Sequence, residues 1–111
     1  MGRVNRGEIW SVAGGVGASK PRPAVILQDD RFDGTDSVTV LPLTSTEVSA
    51  PLLRVEVTVN TVSGLASPSW VMVDKITTVR RSSVTNRVGR LTSSQLVEIE
   101  RLVMVFLGLA D

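Results

Sequence analysis

The sequence contains no cysteine, no histidine and no tyrosine. Without cysteine there is no disulfide framework, and without cysteine or histidine the usual zinc ligands are missing. Few hydrolytic mechanisms stay open to such a chain, and none that needs a resident metal or cofactor is expected. Charge of one sign is also lacking: 12 Lys+Arg stand against 11 Asp+Glu, a net charge of +1. Bulk attraction to nucleic acid is therefore not expected, and any such binding must come from a local patch. No run approaches the roughly 18 apolar residues of a membrane span. The N-terminus, Met-Gly-Arg-Val-Asn-Arg, leads into a strand-like segment with no apolar signal core. The expectation is a cytoplasmic protein with no membrane partner.

What is present fits one domain over residues 1–111, long enough to bury a core without staples. Short β-branched runs separated by turn residues fill the first two-thirds. They predict strands at Gly7–Val12, Pro23–Gln28, Ser37–Leu43, Leu53–Val59, Trp70–Thr78 and Arg87–Leu91. Val55, Val57 and Val59 alternate with Glu56 and Thr58, the period of a strand with one buried face. Strands near ten-residue spacing point to a small, strongly bent sheet or barrel. The last segment has a helical period instead. Thr92-Ser93-Ser94-Gln95 fits a capping box, Leu96, Ile99, Val103 and Phe106 recur on one face, and Gly108 suits the C′ position. A helix is predicted over Ser93–Leu107. Its second half, Leu102–Leu107, is apolar all round, so it needs cover on more than one side, and a second subunit is the expected cover.

Two tempting motifs fail. Gly14-Gly15-Val16-Gly17-Ala18-Ser19-Lys20 is glycine-rich, but the spacing to Lys20 is wrong for a phosphate-binding P-loop, and Pro21 and Pro23 forbid a following helix. It reads as a mobile loop carrying Lys20. Asp29, Asp30, Asp33 and Asp36 resemble a calcium loop until Arg31 and Val40 are found where acidic ligands belong. A solvated turn is the simpler reading.

Arg22 is the most informative residue. It opens the apolar run Ala24-Val25-Ile26-Leu27, between Pro21 and Pro23, which stiffen the backbone on either side. A guanidinium held at a strand entrance suits anion recognition, although a plain surface ion pair would also satisfy it. Antiparallel pairing through the loop at Asp29–Asp36 brings Thr44, at the end of the next strand, near Arg22. Asp74 interrupts the run Trp70–Val73, where an acid either neutralises an arginine or does chemistry. A carboxylate with an ordinary pKa near 3.9 is a weak base, so Asp74 is expected mainly to position Arg22. Lys75 follows it, on the opposite face if the strand is regular. Arg80-Arg81, Arg87 and Arg90 lie in a stretch, Lys75 to Gln95, without an acidic residue, which suits phosphate tracking. Trp10 and Trp70 are the only tryptophans. Core packing is the expected role of both, with base stacking the alternative for Trp70.

The blocks Arg6-Gly7-Glu8-Ile9-Trp10, Lys20-Pro21-Arg22-Pro23-Ala24-Val25-Ile26-Leu27 and Val40-Leu41-Pro42-Leu43-Thr44-Ser45 occur in that order. With the Asp74-Lys75-Ile76 segment and the closing helix, the chain resembles the MazF/PemK family of toxin endoribonucleases over nearly its whole length. The resemblance implies a mainly β fold of the SH3-like, CcdB/PemK kind, a bent barrel plus a C-terminal helix. It also implies a homodimer, a cognate antitoxin whose disordered tail folds over the site, and catalysis by Arg22, Thr44 and Asp74. Lys20, Ser45, Lys75, Arg80 and Arg81 are the matching RNA-binding candidates. Where PemK-type relatives place an arginine acting as acid two residues before the aspartate, this chain has Met72. The reaction expected is metal-independent scission of single-stranded RNA, in which the 2′-OH attacks the adjacent phosphate. The alternative is a CcdB-like poison of DNA gyrase, with the same fold and no RNA cleavage. Those toxins recognise their target through an aromatic near the C-terminus, whereas this chain ends Phe106-Leu107-Gly108-Leu109-Ala110-Asp111.

Overall fold

The computed structural model describes residues 3–14 and 20–111. The glycine-rich loop read above as mobile falls, apart from Gly14 and Lys20, outside the described residues. Among the described residues there are seven strands: β1 (Glu8–Val12), β2 (Arg22–Ile26), β3 (Ser37–Thr44), β4 (Arg54–Val57), β5 (Ser69–Met72), β6 (Thr77–Arg80) and β7 (Val84–Arg90). One helix, α1 (Ser93–Phe106), follows them. All recorded pairings are antiparallel, in the order β4-β5-β3-β2-β1-β7, with β6 pairing β3 as well. The sheet is bent and barrel-like but not closed.

Alternation along β3 explains how this sheet buries two cores. Leu41 and Leu43 face one side, where Ile9, Val25, Val55, Val57 and Val71 meet Ile99, Leu102 and Val103 of α1. Val38 and Val40 face the other, with Trp10, Val12, Ala24, Ile26 and Val84. Each fully buried aliphatic side chain is worth about 1.5–3 kcal/mol of transfer energy. Trp10 thus packs in the core as expected, and its indole N–H donates to Glu8 Oε1 at 3.0 Å. At the end of β3 the second face runs out of cover: Pro42 and Thr44 are only partly buried. That opening becomes the site.

The structure departs from the sequence expectations in three places. The single strand expected over Trp70–Thr78 is two strands, because a 3₁₀ turn at Val73–Lys75 separates β5 from β6. Val73 is buried in this turn, so the hydrophobic run is continuous although the strand is not. β4 ends at Val57, and Val59 is 49% exposed rather than part of the buried face. On α1 the capping box is present, with Thr92 and Gln95 bonded reciprocally, and Gly108 takes φ +75°. Phe106, however, is 47% exposed, because the core-facing stripe ends at Leu102 and Val103. Met104, Leu107 and Leu109 are exposed beside it.

Candidate active site

The β2–β3 register pairs Ala24 with Pro42. Carried two residues on, it sets Arg22 opposite Thr44, on the same face of the sheet. Arg22 pairs with Val12 on its other side, which fixes its backbone while its side chain is exposed. Among the described residues no carboxylate lies within ion-pairing distance of it. The guanidinium is available for an anion, and the surface ion pair entertained for it is not made.

Thr44 is oriented by the chain that follows. Its Oγ1 accepts the backbone N–H of Thr46 at 3.1 Å, which leaves the hydroxyl proton to donate outward. A cavity of about 200 Å³ lies here, walled by Lys20, Arg22, Thr44, Ser45, Ser67 and Ser69 along with Pro21, Pro23 and Leu43. A second depression of about 370 Å³ shares Arg22, Thr44 and Ser45 and adds Pro42, Thr46 and Met72. The structure therefore brings four of the expected residues together: Lys20, Arg22, Thr44 and Ser45. The walls supplied by Ser67 and Ser69 carried no signal in the sequence beyond a Ser-Pro-Ser stretch. Ser69 is nearly buried, and its hydroxyl donates to the Ser67 carbonyl at 3.1 Å, so this wall is fixed.

The other expected residues sit apart from the cavity. Asp74 lies in the 3₁₀ turn after β5 and does not line it. Its carboxylate is held by Arg54 Nη1, which also donates to the Leu53 carbonyl at 2.9 Å, while Lys75 Nζ stands 3.8 Å from the other oxygen. Asp74 was expected to position Arg22; it is bound to Arg54 instead. Arg54 belongs to the strand opposite, directly across from Met72. The hydrogen bond from Arg54 holds the Asp74 carboxyl below the ordinary range, against the opposing effect of burial. Lys75 is on the same turn rather than on the far face of a strand, and it reaches back to its neighbour.

Arg80 and Arg81 lie at the far end of β3, where Ser37 pairs with Arg80. Thr44 is seven residues along that strand, about 23 Å away. Arg81 is tied down: its Nε donates to the Thr35 carbonyl at 2.7 Å. Arg87 is neutralised by Glu8 at 2.8 Å, which removes it from the basic stretch proposed for phosphates. The four aspartates form a turn as expected, with Asp29 capping a short 3₁₀ helix through the backbone N–H of Arg31 at 2.8 Å. Among the described residues no group of three or more His, Cys, Asp or Glu is placed to hold a metal ion.

The chain and its fold are similar to those of known proteins. The family model described as PemK-like, MazF-like toxin of type II toxin-antitoxin system matches residues 5–107. A probable endoribonuclease MazF of Mycolicibacterium smegmatis is 49% identical over 108 residues, covering 96% of this chain and 99% of that protein. Among solved structures, Mycobacterium tuberculosis toxin MazF-mt6 superposes with a TM-score of 0.78 at 26% identity, over 94% of this chain and 98% of the other. An endoribonuclease from Mycobacterial species, solved in complex with its cognate antitoxin, has a TM-score of 0.77 at 23% identity, over 97% and 98% of the two chains, and supports the fold. The gyrase-poison alternative is not favoured by these relatives. The chain belongs to the PemK-like, MazF-like family of toxins of type II toxin–antitoxin systems.

Proposed function

We propose that this toxin is an endoribonuclease that cuts single-stranded RNA at a short sequence, without a metal ion. RNA supplies the nucleophile: its 2′-OH attacks the adjacent phosphorus, the P–O5′ bond breaks, and the products carry a 2′,3′-cyclic phosphate and a 5′-OH. The protein must align that attack and stabilise the extra negative charge on the phosphorane oxygens. Arg22 does the second task with its planar fork of donors. The outward Thr44 hydroxyl hydrogen-bonds a non-bridging oxygen, and Lys20 and Ser45 hold the flanking backbone. Asp74 acts at one remove, by fixing Arg54 and the turn that ends β5.

One observation carries this reading: an unpaired arginine and an oriented hydroxyl face the same cavity from adjacent strands. The exposed apolar residues at the end of α1 fit a homodimer, and a cognate antitoxin is the expected regulator. The site of action is the cytoplasm, where messenger RNA is met. Replacing Arg22 with Ala tests the reading. Cleavage should vanish with the fold intact, and wild-type activity in that variant would remove Arg22 from the mechanism.

A further inference from the structure

The row of residues that holds Arg22 and Thr44 does not end there. Thr44 pairs directly with Trp70 on β5, and Trp70 pairs directly with Glu56 on β4. Paired residues project to the same face. Arg22, Thr44, Trp70 and Glu56 thus form one line across four strands, opposite the face that buries Val57 and Val71. At about 4.8 Å per strand the line is about 14 Å long. It runs from a cation through a hydroxyl and an aromatic ring to an anion.

Trp70 differs from a core tryptophan. It is partly exposed, belongs to neither buried cluster, and its indole N–H makes no hydrogen bond among the described residues. That N–H is also absent from the buried unsatisfied atoms, so solvent reaches it. Trp10 is 6% exposed and fully bonded by comparison. Glu56 is exposed, and no cation among the described residues is within ion-pairing distance of it.

We propose that Trp70 and Glu56 form a base subsite next to the cleavage point. The charge order sets the polarity of the nucleotide: the phosphate lies at Arg22 and Thr44, and the base extends away from it over Trp70. An indole presents a flat apolar surface on which any base stacks. Glu56 is an acceptor at the far edge, so it selects a base that presents an exocyclic amine, cytosine being the simplest case. The proposal rests on the nuclease reading above.

Three arms test it. Cut-site sequencing on a randomised RNA pool compares wild type, Trp70→Ala, Trp70→Phe and Glu56→Ala. Trp70→Ala should lose about ten- to a hundredfold in kcat/KM, with Trp70→Phe recovering much of the loss because it keeps a stacking ring. In Glu56→Ala the preference for an amine-bearing base at one position should fall from about tenfold or more to near unity, with the other positions unchanged. The third arm needs no cleavage: randomised oligodeoxynucleotides, which lack the 2′-OH, should quench wild-type tryptophan fluorescence but not that of Trp70→Phe. Unchanged efficiency and cut sites in Trp70→Ala would overturn the proposal and leave the nuclease reading standing. If wild type cuts no RNA, that reading fails, and quenching alone decides the subsite: an equal response from wild type and Trp70→Phe would overturn it.

Discussion

Gly89 is the position where the smallest added group should do the most damage. A Cβ on residue 89 would lie 2.1 Å from the Ser63 carbonyl oxygen and 2.5 Å from that of Val62, where real contacts stay above 3.0 Å. The obstacle is backbone on a loop that turns back over β7, so no side chain can swing aside. Moving that loop by about 1 Å strains the packing at about 1–3 kcal/mol, and the upper end applies to a rigid obstacle. It also stretches the bond from Arg90 N–H to the Val62 carbonyl, 2.9 Å in the native protein. Losing such a bond costs about 1 kcal/mol. About 4 kcal/mol in total is expected for Gly89→Ala. With about 2.1 cal/mol/K of unfolding entropy per residue, 111 residues give about 4 °C per kcal/mol. The melting temperature should drop by about 17 °C. Gly34→Ala is the control: nothing lies within 4 Å of the added carbon and φ is not in the left-handed range. It should leave the melt unchanged or raise it by up to about 4 °C, through reduced chain entropy. Thermal melts followed by circular dichroism measure both. A Gly89→Ala protein melting within 2 °C of wild type, or a Gly34→Ala protein falling as far as Gly89→Ala, would show that the Ser63 and Val62 carbonyls are not what excludes a side chain at residue 89.

Thr44→Val keeps the side-chain shape and removes the outward donor, so kcat on RNA should fall by about a hundredfold with little change in melting temperature. A tenfold loss or less, measured in single-turnover cleavage, would deny the hydroxyl its role. Glu8 is partly buried, which alone would raise its pKa, but hydrogen bonds from Trp10, Asn5 and Arg87 outweigh that and hold it below the ordinary value. A depressed folded pKa gives stability that is present above the unfolded pKa of about 4.3 and lost as pH falls through the lower folded value. Glu8→Gln should therefore lose stability near pH 7 yet show a flatter decline in acid, and parallel acid-unfolding curves for the two proteins would contradict this. Phe106 and Leu109 are 47% and 70% exposed at the end of α1. Changing both to Glu should halve the mass seen by light scattering, and an unchanged mass would place any subunit interface elsewhere.

Elements with a complete local signal were legible from the sequence. The helix had its cap, its period and its terminal glycine, and five of the six expected strands correspond to observed ones within a few residues. The split of Trp70–Thr78 was not legible, because Val73 is buried in the turn as it would be in a strand, so periodicity does not mark the break. The nearness of Arg22 and Thr44 followed from chain order and antiparallel pairing alone. The partner of Asp74 did not, since Arg54 reaches it from a strand twenty residues away, and only the β4–β5 register reveals that. Ser67 and Ser69 were invisible for a similar reason: the segment before β5 and the first residue of that strand bring them to the cavity, and no spacing in the chain encodes it.

In the proposed function, Arg22 drives RNA scission without a metal ion. Purified protein incubated with long single-stranded RNA in EDTA, followed by end-group analysis, tests it directly. Discrete fragments ending in 2′,3′-cyclic phosphate and 5′-OH, abolished in folded Arg22→Ala protein, are the predicted result. Intact RNA from folded wild-type protein, or equal cutting by the Arg22→Ala variant, would contradict it.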